Sequence, residues 1–89
     1  MIFEGESINS KANGKGKEYY YNGNLIFEGE YLNGRKWNGK GYDIYNNLEY
    51  ELKNGIGKVK EYDYYGYLVF EGEYLKGYRW NGKSKKYNI

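Results

Sequence analysis

The sequence predicts an all-β protein, built as a single-layer open meander or solenoid of about four antiparallel β-hairpin repeats, with about eight short strands and no helix. The main observation is an internal repeat: residues 14–40 and 57–83, which are 43 positions apart, are identical at 19 of 27 positions. Such self-similarity is typical of arrays in which each unit buries its apolar face against the next. In addition, 14 Gly and no Pro fit many tight reversals between short, fully hydrogen-bonded strands.

Each 43-residue period contains two unequal units of about 22 residues, and each unit begins near an apolar residue followed by Glu-x-Glu. These apolar residues are Phe3, Phe27, Leu48 and Phe70. The chain is therefore expected to form one repeat domain over residues 1–89, with units at about 2–24, 25–46, 47–66 and 67–89. Because the repeat pattern runs to both ends, the sequence also fits a piece of a longer array.

Every unit has the pattern of a hairpin. In the second unit, residues 25–31 carry aromatic side chains at Phe27 and Tyr31 with charges between them, which is the period-2 pattern of a half-buried strand. Asn33 and Gly34 tolerate positive φ and predict a type I′ turn, and residues 40–45 return. No segment keeps a 3.6-residue apolar period, so no helix is expected.

Mid-strand glycines recur in three of the units, at Gly5, Gly29 and Gly72. A glycine inside a strand commonly marks a close approach of backbone or ring. The third unit has Tyr50 at the equivalent position, which predicts a local difference in packing or curvature there.

These patterns resemble the MORN (membrane occupation and recognition nexus) repeat, in which an aromatic residue, glycines and a second aromatic residue recur at fixed spacing before a short second strand. The second and fourth units match it most closely, each with one inserted Asn, whereas the first has Ser7 and Ser10 at expected Tyr and Gly positions and the third is shorter. The matching residues of the second unit are Phe27, Gly29, Tyr31, Gly34 and Trp37, and those of the fourth are Phe70, Gly72, Tyr74, Gly77 and Trp80. The resemblance implies an open string of hairpins that serves in scaffolding, dimerisation or partner binding, in some proteins at membranes.

Composition excludes several classes of chemistry. The chain has no Cys and no His, which removes disulfides, most general-base and thiolate chemistry and the usual zinc ligands. We therefore expect no enzyme, no cofactor and no metal site. With 14 basic residues interleaved among 12 acidic ones, nucleic acid is not an expected partner. Since no apolar run is long enough to span a membrane and no signal peptide is evident, a cytoplasmic protein is expected.

The Glu-x-Glu pairs place two carboxylates on one face of a strand, about 6–7 Å apart. They occur at Glu4/Glu6, Glu28/Glu30 and Glu71/Glu73. Their favoured interpretation is a solvated ladder of Glu against Lys from adjacent strands. Oxygen ligation of Ca²⁺ and acid–base work on a glycosidic bond are the alternatives.

The aromatic residues are the candidates for binding, because 14 Tyr and 2 Trp are too many to bury in one small sheet. In a strand, neighbouring side chains point to opposite faces, so Tyr20 faces outward if Tyr19 and Tyr21 face the core. The candidate binding residues are Tyr20, Tyr31, Trp37, Tyr64, Tyr74 and Trp80.

The function predicted from these residues is a non-catalytic module for protein–protein interaction or scaffolding. Its partner would be a protein or peptide, or a second copy in a homodimer formed through terminal strands at residues 2–7 and 83–88. Two alternatives stay open: carbohydrate or cell-wall binding by exposed Tyr and Trp, and weak attachment to a membrane surface through the basic cluster of Arg79, Lys83, Lys85 and Lys86.

Overall fold

A computed structural model describes residues 2–8 and 11–84, and these form an all-β structure. Within that part of the chain no helix occurs, as the sequence predicts. Eight antiparallel strands succeed one another: β1 (Ile2–Ile8), β2 (Lys11–Tyr19), β3 (Leu25–Leu32), β4 (Arg35–Tyr42), β5 (Leu48–Leu52), β6 (Gly57–Tyr62), β7 (Leu68–Leu75) and β8 (Tyr78–Ser84).

The tight turns at one end of the molecule have the predicted mirror-image conformation. Asn33 and Gly34, between β3 and β4, have φ of 51° and 82°, and positive φ at both central residues is the requirement of a type I′ turn. The same pair of angles recurs at Asn54-Gly55 and, with a lysine in the first position, at Lys76-Gly77. We call this side of the molecule the turn end and the opposite side the loop end.

Strand pairing is interrupted between β5 and β6, so the strands form two open sheets, of five strands (β1 to β5) and three strands (β6 to β8). Between β5 and β6 the described backbone pairs at one isolated bridge, Lys53 with Ile56, and the Tyr62 hydroxyl donates a hydrogen bond of 2.6 Å to the Glu49 carboxylate. The continuous meander expected from the sequence therefore does not form. The break comes directly after β5, the strand that carries Tyr50. The sequence predicts a local difference in packing or curvature in this unit. The Tyr50 ring stacks on Phe27, with centroids 6.3 Å apart.

The face that carries the Glu-x-Glu pairs is a ladder of alternating charge. The strand register places Lys17 opposite Glu28, Glu28 opposite Lys40 and Lys40 opposite Glu51. Lys60 and Glu71 face each other in the second sheet. The Lys17 Nζ lies 3.3 Å from a Glu28 carboxylate oxygen, and both side chains are half-exposed. For the Glu-x-Glu pairs of β3 and β7, the favoured interpretation, a ladder against lysines, is thus the observed one. The side chains of Glu4 and Glu6 lie outside the described residues.

The core is aromatic and lies on the other side of the strands. Its fully buried side chains include Tyr20, Phe27 and Leu52, and each such residue contributes roughly 1.5–3 kcal/mol by leaving water. The remaining core residues are Ile26, Tyr31, Tyr50, Val59 and Phe70. Large rings thus replace a conventional aliphatic core.

Tyr20 does not face outward: it is 1% exposed, whereas Tyr21 is 60% exposed. Gly16, Glu18 and Tyr20 are buried, whereas Lys17 and Tyr19 between them are partly exposed, so regular strand alternation continues to Tyr20. The Tyr20 hydroxyl donates a hydrogen bond of 2.6 Å to the Tyr42 carbonyl oxygen. The outward orientation, which assumed that Tyr19 and Tyr21 face the core, is therefore wrong, because the opposite phase of the alternation faces the core.

Candidate functional site

Three loops at the loop end share one conformation. They comprise residues 20–24, 43–47 and 63–67, and in each the first N–H donates to the carbonyl of the fifth residue while the fourth N–H donates back to the first carbonyl. The fourth residue has positive φ in every case: 88° at Gly23, 71° at Asn46 and 93° at Gly66. The same backbone positions are therefore presented three times at the loop end.

Aspartates stabilise two of these loops. One Asp43 oxygen accepts hydrogen bonds of 2.9 Å from the N–H groups of Tyr45 and Asn47, and Asp63 accepts the equivalent pair at 3.0 Å. Desolvation raises the pKa of Asp43, but hydrogen bonds from Asn47 and Tyr45 outweigh it and hold the pKa below its ordinary value. The loop conformation thus includes a fixed negative charge.

Contacts between the loops make them one structural unit. The side-chain amides of Asn22 and Asn24 both donate to the Ile44 carbonyl oxygen, at 3.2 and 2.8 Å. The Tyr21 N–H donates to the Tyr64 carbonyl oxygen at 3.1 Å. Ile44 also lies so close to Gly66 that a Cβ there would be 2.8 Å from its side chain. Side chains on these loops are therefore held at fixed separations.

The loops expose a group of tyrosines that we call the tyrosine face: Tyr21, Tyr45, Tyr64, Tyr65 and Tyr67. Tyr45 is 81% exposed and Tyr65 is 63% exposed, and Tyr21 and Tyr67 are also more than half-exposed. The Tyr21 ring lies edge-on to Tyr64, with centroids 6.3 Å apart, and the Tyr64 and Tyr65 centroids are 5.2 Å apart. The three loops contain two Asp and neither Lys nor Arg, so the face combines aromatic surface with negative charge.

The residues predicted as a binding site are not brought together in one place. Tyr20 and Tyr31 lie in the core, and Trp37, Tyr64 and Tyr74 are partly buried. Trp80, at 67% exposure, is the candidate with the largest free surface. Of the six, Tyr64 alone belongs to the tyrosine face.

Sequence reasoning missed Tyr21, Tyr45, Tyr65 and Tyr67 as candidates because strand alternation was the test applied. All four lie within two residues of a glycine or asparagine that has positive φ. Proximity alone does not decide burial, because Tyr31 lies two residues from Asn33 and is in the core. The four missed tyrosines lie inside the loops, beyond the paired strands, so the reversal sequences themselves, such as Tyr21-Asn22-Gly23 and Tyr65-Gly66, are the signal that could have found them.

Two open grooves lie on the charged face, and they are equivalent by the 43-residue repeat. The first, of about 440 Å³, has Gly16 and Gly29 on its floor and Lys15, Lys17, Glu28 and Glu30 along its sides. The second, of about 310 Å³, has Val59 and Gly72 on its floor and Lys58, Lys60, Glu71 and Glu73 along its sides. Lysines face glutamates across both grooves, so the charges of the first groove balance, whereas Glu49 also lines the second and leaves it with one more acidic than basic group. Neither groove contains the predicted aromatic residues.

A buried polar cluster next to Phe27 has no open access. The Tyr31 hydroxyl donates to a Glu18 carboxylate oxygen, and the Lys36 Nζ lies 4.0 Å from the same oxygen. Burial, and then the neighbouring Glu18 charge, raise the pKa of Tyr31 well above its ordinary value. Burial likewise raises the pKa of Tyr50. These tyrosines are neutral hydrogen-bonding groups of the interior.

Within the described residues, no group of three or more His, Cys, Asp or Glu side chains is arranged to hold a metal ion. The same part of the chain has no helix whose length and apolar character would suit a membrane span. The cytoplasmic location expected from the sequence stays a prediction.

Comparison with family models, with curated proteins and with solved structures found no match to this chain. The fold and the surface define the class of protein as an open all-β repeat with an exposed aromatic face.

Proposed function

We propose that this chain is a non-catalytic, MORN-like repeat module that binds a protein partner through the tyrosine face. The observation that carries the proposal is the exposure of Tyr21, Tyr45, Tyr65 and Tyr67 on loops that are hydrogen-bonded to one another. Each of the four hairpins would then be one unit of a solenoid, with its loops and turns lining the two ends. The repeat motifs shared by the second and fourth units support that description.

Tyrosine side chains are well suited to protein recognition because each supplies a large contact area while losing little side-chain entropy. Here the loops are already ordered by the bonds from Asn22, Asn24 and Tyr21 to neighbouring loops. A partner therefore does not have to order them on binding, and preorganisation of this kind increases affinity.

The charge of the face indicates the chemistry of the partner. Asp43 and Asp63 are the only charged residues of the three loops, and hydrogen bonds from Asn47 and Tyr45 stabilise the charged form of Asp43. Lysine and arginine groups are attracted to carboxylates and to the faces of tyrosine rings. We therefore expect the partner segment to be basic.

Carbohydrate binding is the second candidate, since the same exposed rings offer flat surfaces on which sugars stack. Attachment to an anionic membrane through this face would place Asp43 and Asp63 against like charge. In the predicted basic cluster, Arg79 is already paired, since it donates hydrogen bonds of 3.1 and 2.6 Å to Glu61. The side chains of Lys83, Lys85 and Lys86 lie outside the described residues.

Selection of displayed random peptides on the 89-residue chain tests the proposal. We expect enrichment of Lys- and Arg-containing peptides, and an affinity loss of about thirtyfold for the enriched peptide in the double variant Tyr45→Ser/Tyr65→Ser, as for typical hot-spot residues. Trp80→Ser, which removes a similarly exposed ring at another place, is the matched control and should leave peptide affinity unchanged.

Two parallel measurements separate the other functions. Saturable binding on a glycan array, without peptide enrichment, would replace the proposal by carbohydrate recognition. Co-sedimentation with anionic but not neutral vesicles, lost at high salt, would replace it by membrane attachment. Peptide binding that persists in Tyr45→Ser/Tyr65→Ser would move the site away from the tyrosine face.

A further inference from the structure

The turn end of the molecule is basic, whereas the loop end is acidic. Three turns of the turn end lie among the described residues, at 32–36, 53–56 and 75–79, and they contain five Lys or Arg and neither Asp nor Glu. The three loops at the opposite end contain Asp43 and Asp63 and neither Lys nor Arg. Charges of opposite sign therefore lie at the two ends of the same hairpins.

Carboxylates of the same sheet match two of the five basic groups. The Lys36 Nζ lies 4.0 Å from an oxygen of the buried Glu18 side chain. Arg79 donates hydrogen bonds of 3.1 and 2.6 Å to Glu61. These two cations are therefore already paired within the molecule, and they add little to the charge that the turn end presents to a partner.

The net positive charge of the turn end comes from Arg35, Lys53 and Lys76. Lys53 and Lys76 are exposed, and neither takes part in the ion pairs found among the described residues. The glutamates that come shortly before them in the sequence face other lysines across the strands, Glu51 opposite Lys40 and Glu73 opposite Lys58.

Contacts between the turns make the turn end one surface. The Gly77 N–H donates a hydrogen bond of 3.0 Å to the Gly55 carbonyl oxygen, and a Cβ on Gly77 would lie 3.0 Å from the Arg35 Cβ. The Arg35 Cζ lies 4.4 Å from the centroid of the Tyr78 ring. The basic groups of neighbouring turns are therefore attached to a backbone that is already ordered, as the tyrosines of the loop end are.

The same turns expose apolar side chains. Ile56 and Tyr78 are more than half-exposed, and Leu32 and Leu75 are more than one-third exposed. Exposed apolar groups that are grouped together and surrounded by charge are a mark of interaction surfaces.

Contacts of cations with aromatic rings recur inside the molecule and show which partner suits the turn end. The Lys36 Nζ lies 5.2 Å from the Phe27 centroid, and the Arg79 Cζ lies 4.7 Å from the Phe70 centroid. Tyrosine rings attract cations in the same way, and carboxylates attract them by their charge. The tyrosine face offers both groups at one place.

We infer that the turn end of one copy of this chain binds the tyrosine face of a second copy. This partner is the basic segment expected under the proposed function, on which the inference rests. Arg35, Lys53 and Lys76 of one copy would lie against Asp43, Asp63 and the exposed rings of the other. Turns and loops each recur once every two strands, so three turns match three loops in number and order.

The two surfaces of this contact are different, so the contact is heterologous. A pair of copies leaves one turn end and one tyrosine face available, and further copies can add to both. The mass should therefore rise continuously with concentration. Because the contact is between charged surfaces, it should also weaken as salt is added.

Sedimentation velocity of the 89-residue chain over a wide concentration range tests the inference. We expect the mass to increase with concentration. Association should be at least about tenfold weaker in Lys53→Glu/Lys76→Glu, because this variant places negative charge against Asp43 and Asp63. The matched control Lys53→Arg/Lys76→Arg keeps the charge and should associate like the unmodified chain. Thermal unfolding of each variant shows whether the fold is retained.

Mixing two variants tests whether the two ends bind each other. Tyr45→Ser/Tyr65→Ser alters the tyrosine face but leaves the turn end intact, and it should associate as weakly as Lys53→Glu/Lys76→Glu. In a mixture, each variant supplies the surface that the other lacks. We therefore expect a complex of one copy of each variant, which does not grow further because the two remaining surfaces are both altered.

A monomer mass at every concentration would overturn the inference, and enrichment of basic peptides by the same chain would then leave the proposed function in place. Association that survives in Lys53→Glu/Lys76→Glu would overturn the inference as well. So would a mixture of the two folded variants that forms no complex.

Discussion

The two copies of the repeat surround their central phenylalanines with the same residue types but reach different degrees of burial. Around Phe27, the Glu18 side chain is buried, accepts from the Tyr31 hydroxyl and lies near Lys36. Around Phe70, 43 residues later, Glu61 pairs with Arg79, whose Cζ lies 4.7 Å above the Phe70 ring and whose side chain is 47% exposed. The carboxylates are similarly buried, at 7% exposure for Glu18 and 10% for Glu61, whereas the basic partner is 15% exposed at Lys36 and 47% exposed at Arg79. The two clusters therefore differ mainly in the exposure of the cation.

The difference in exposure between the two clusters depends on the unit that follows each copy along the chain. Tyr50 of the third unit closes the first cluster: its ring stacks on Phe27, and its hydroxyl is 3.5 Å from the Lys36 Nζ. Among the described residues no later unit closes the second cluster in this way. Burial in such an array is therefore set by the neighbouring unit more than by a residue's own unit.

The largest effect should come from blocking that closure. A Cβ at Gly41 would overlap the Tyr50 ring, so Gly41→Val should displace Tyr50 and reduce the free energy of unfolding by about 3 kcal/mol, measured by chemical denaturation. Leu75→Val, at an exposed position of β7, is the control and should change stability by less than about 0.5 kcal/mol. Equal losses in both variants would contradict closure of the first cluster by Tyr50.

The second-largest difference between the two copies should come from removing the carboxylate of each cluster, Glu18 or Glu61. Glu18→Ala leaves the Tyr31 hydroxyl and the Lys36 ammonium without their buried partner, and we expect a loss of about 2–3 kcal/mol. Glu61→Ala breaks an ion pair whose arginine is half-exposed, so about 0.5–1 kcal/mol should be lost. Thermal unfolding of both variants measures the difference, and a larger loss for Glu61→Ala would reverse the comparison.

Alkaline pH should act on the buried tyrosines of the first cluster. Desolvation, and then the charge and hydrogen bond of Glu18, raise the pKa of Tyr31 above its ordinary value of 10.0. The folded state thus holds this proton more tightly, so its contribution to stability is complete below pH 10 and is lost as pH rises beyond it, by up to about 1.4 kcal/mol per pH unit.

Denaturation at pH 9 and at pH 11 tests this dependence. Tyr31→Phe should lower stability at the lower pH, because it removes the hydrogen bond to Glu18, but should lose less than the unmodified chain between the two values. Tyr45→Phe, at an exposed position, serves as the control and should show the unmodified slope. If Tyr31→Phe loses as much stability between pH 9 and pH 11 as the unmodified chain, Tyr31 is not the group responsible for the alkaline loss of stability.

The tryptophans should give the smallest energetic difference and the clearest spectroscopic one. In Trp80→Phe the remaining Trp37 should emit at shorter wavelength and resist iodide quenching, whereas in Trp37→Phe the remaining Trp80 should emit at longer wavelength and quench readily. Replacing the exposed ring should cost less than about 0.5 kcal/mol. Similar spectra for the two variants would contradict the difference in exposure between Trp37 and Trp80.

Much of the fold could be predicted because the same strand and turn pattern recurs along the sequence. Alternation in residues 25–31 and the Asn33-Gly34 pair specify a strand and a mirror-image turn, and positive φ at both turn residues confirms the turn. The inward orientation of Tyr20 could not be predicted, because three consecutive tyrosines, Tyr19 to Tyr21, fit either phase of strand alternation. The phase is set by packing and by the hydrogen bond from the Tyr20 hydroxyl to the Tyr42 carbonyl oxygen, which lies 22 residues away in the sequence.

The candidate site was harder to predict than the fold. Chemical type alone made the aromatic residues candidates, but their burial depends on which unit covers them: Tyr31 is covered and Trp80 is not. The tyrosine face results from contacts between loops about 20 residues apart, such as Asn24 with Ile44. Such contacts leave no local pattern in the sequence.

The ladder of opposite charges has a consequence for how this chain could have grown. On the charged face, β3 and β7 carry glutamates while β2 and β6 carry lysines, in paired register. Gain or loss of one strand would place like charges side by side, which is destabilising, whereas gain or loss of a complete hairpin would preserve the alternation. Gene duplication is therefore expected to change the length of this array by whole hairpins, and the near-identical segments 14–40 and 57–83 have the form that duplication of two hairpins would leave.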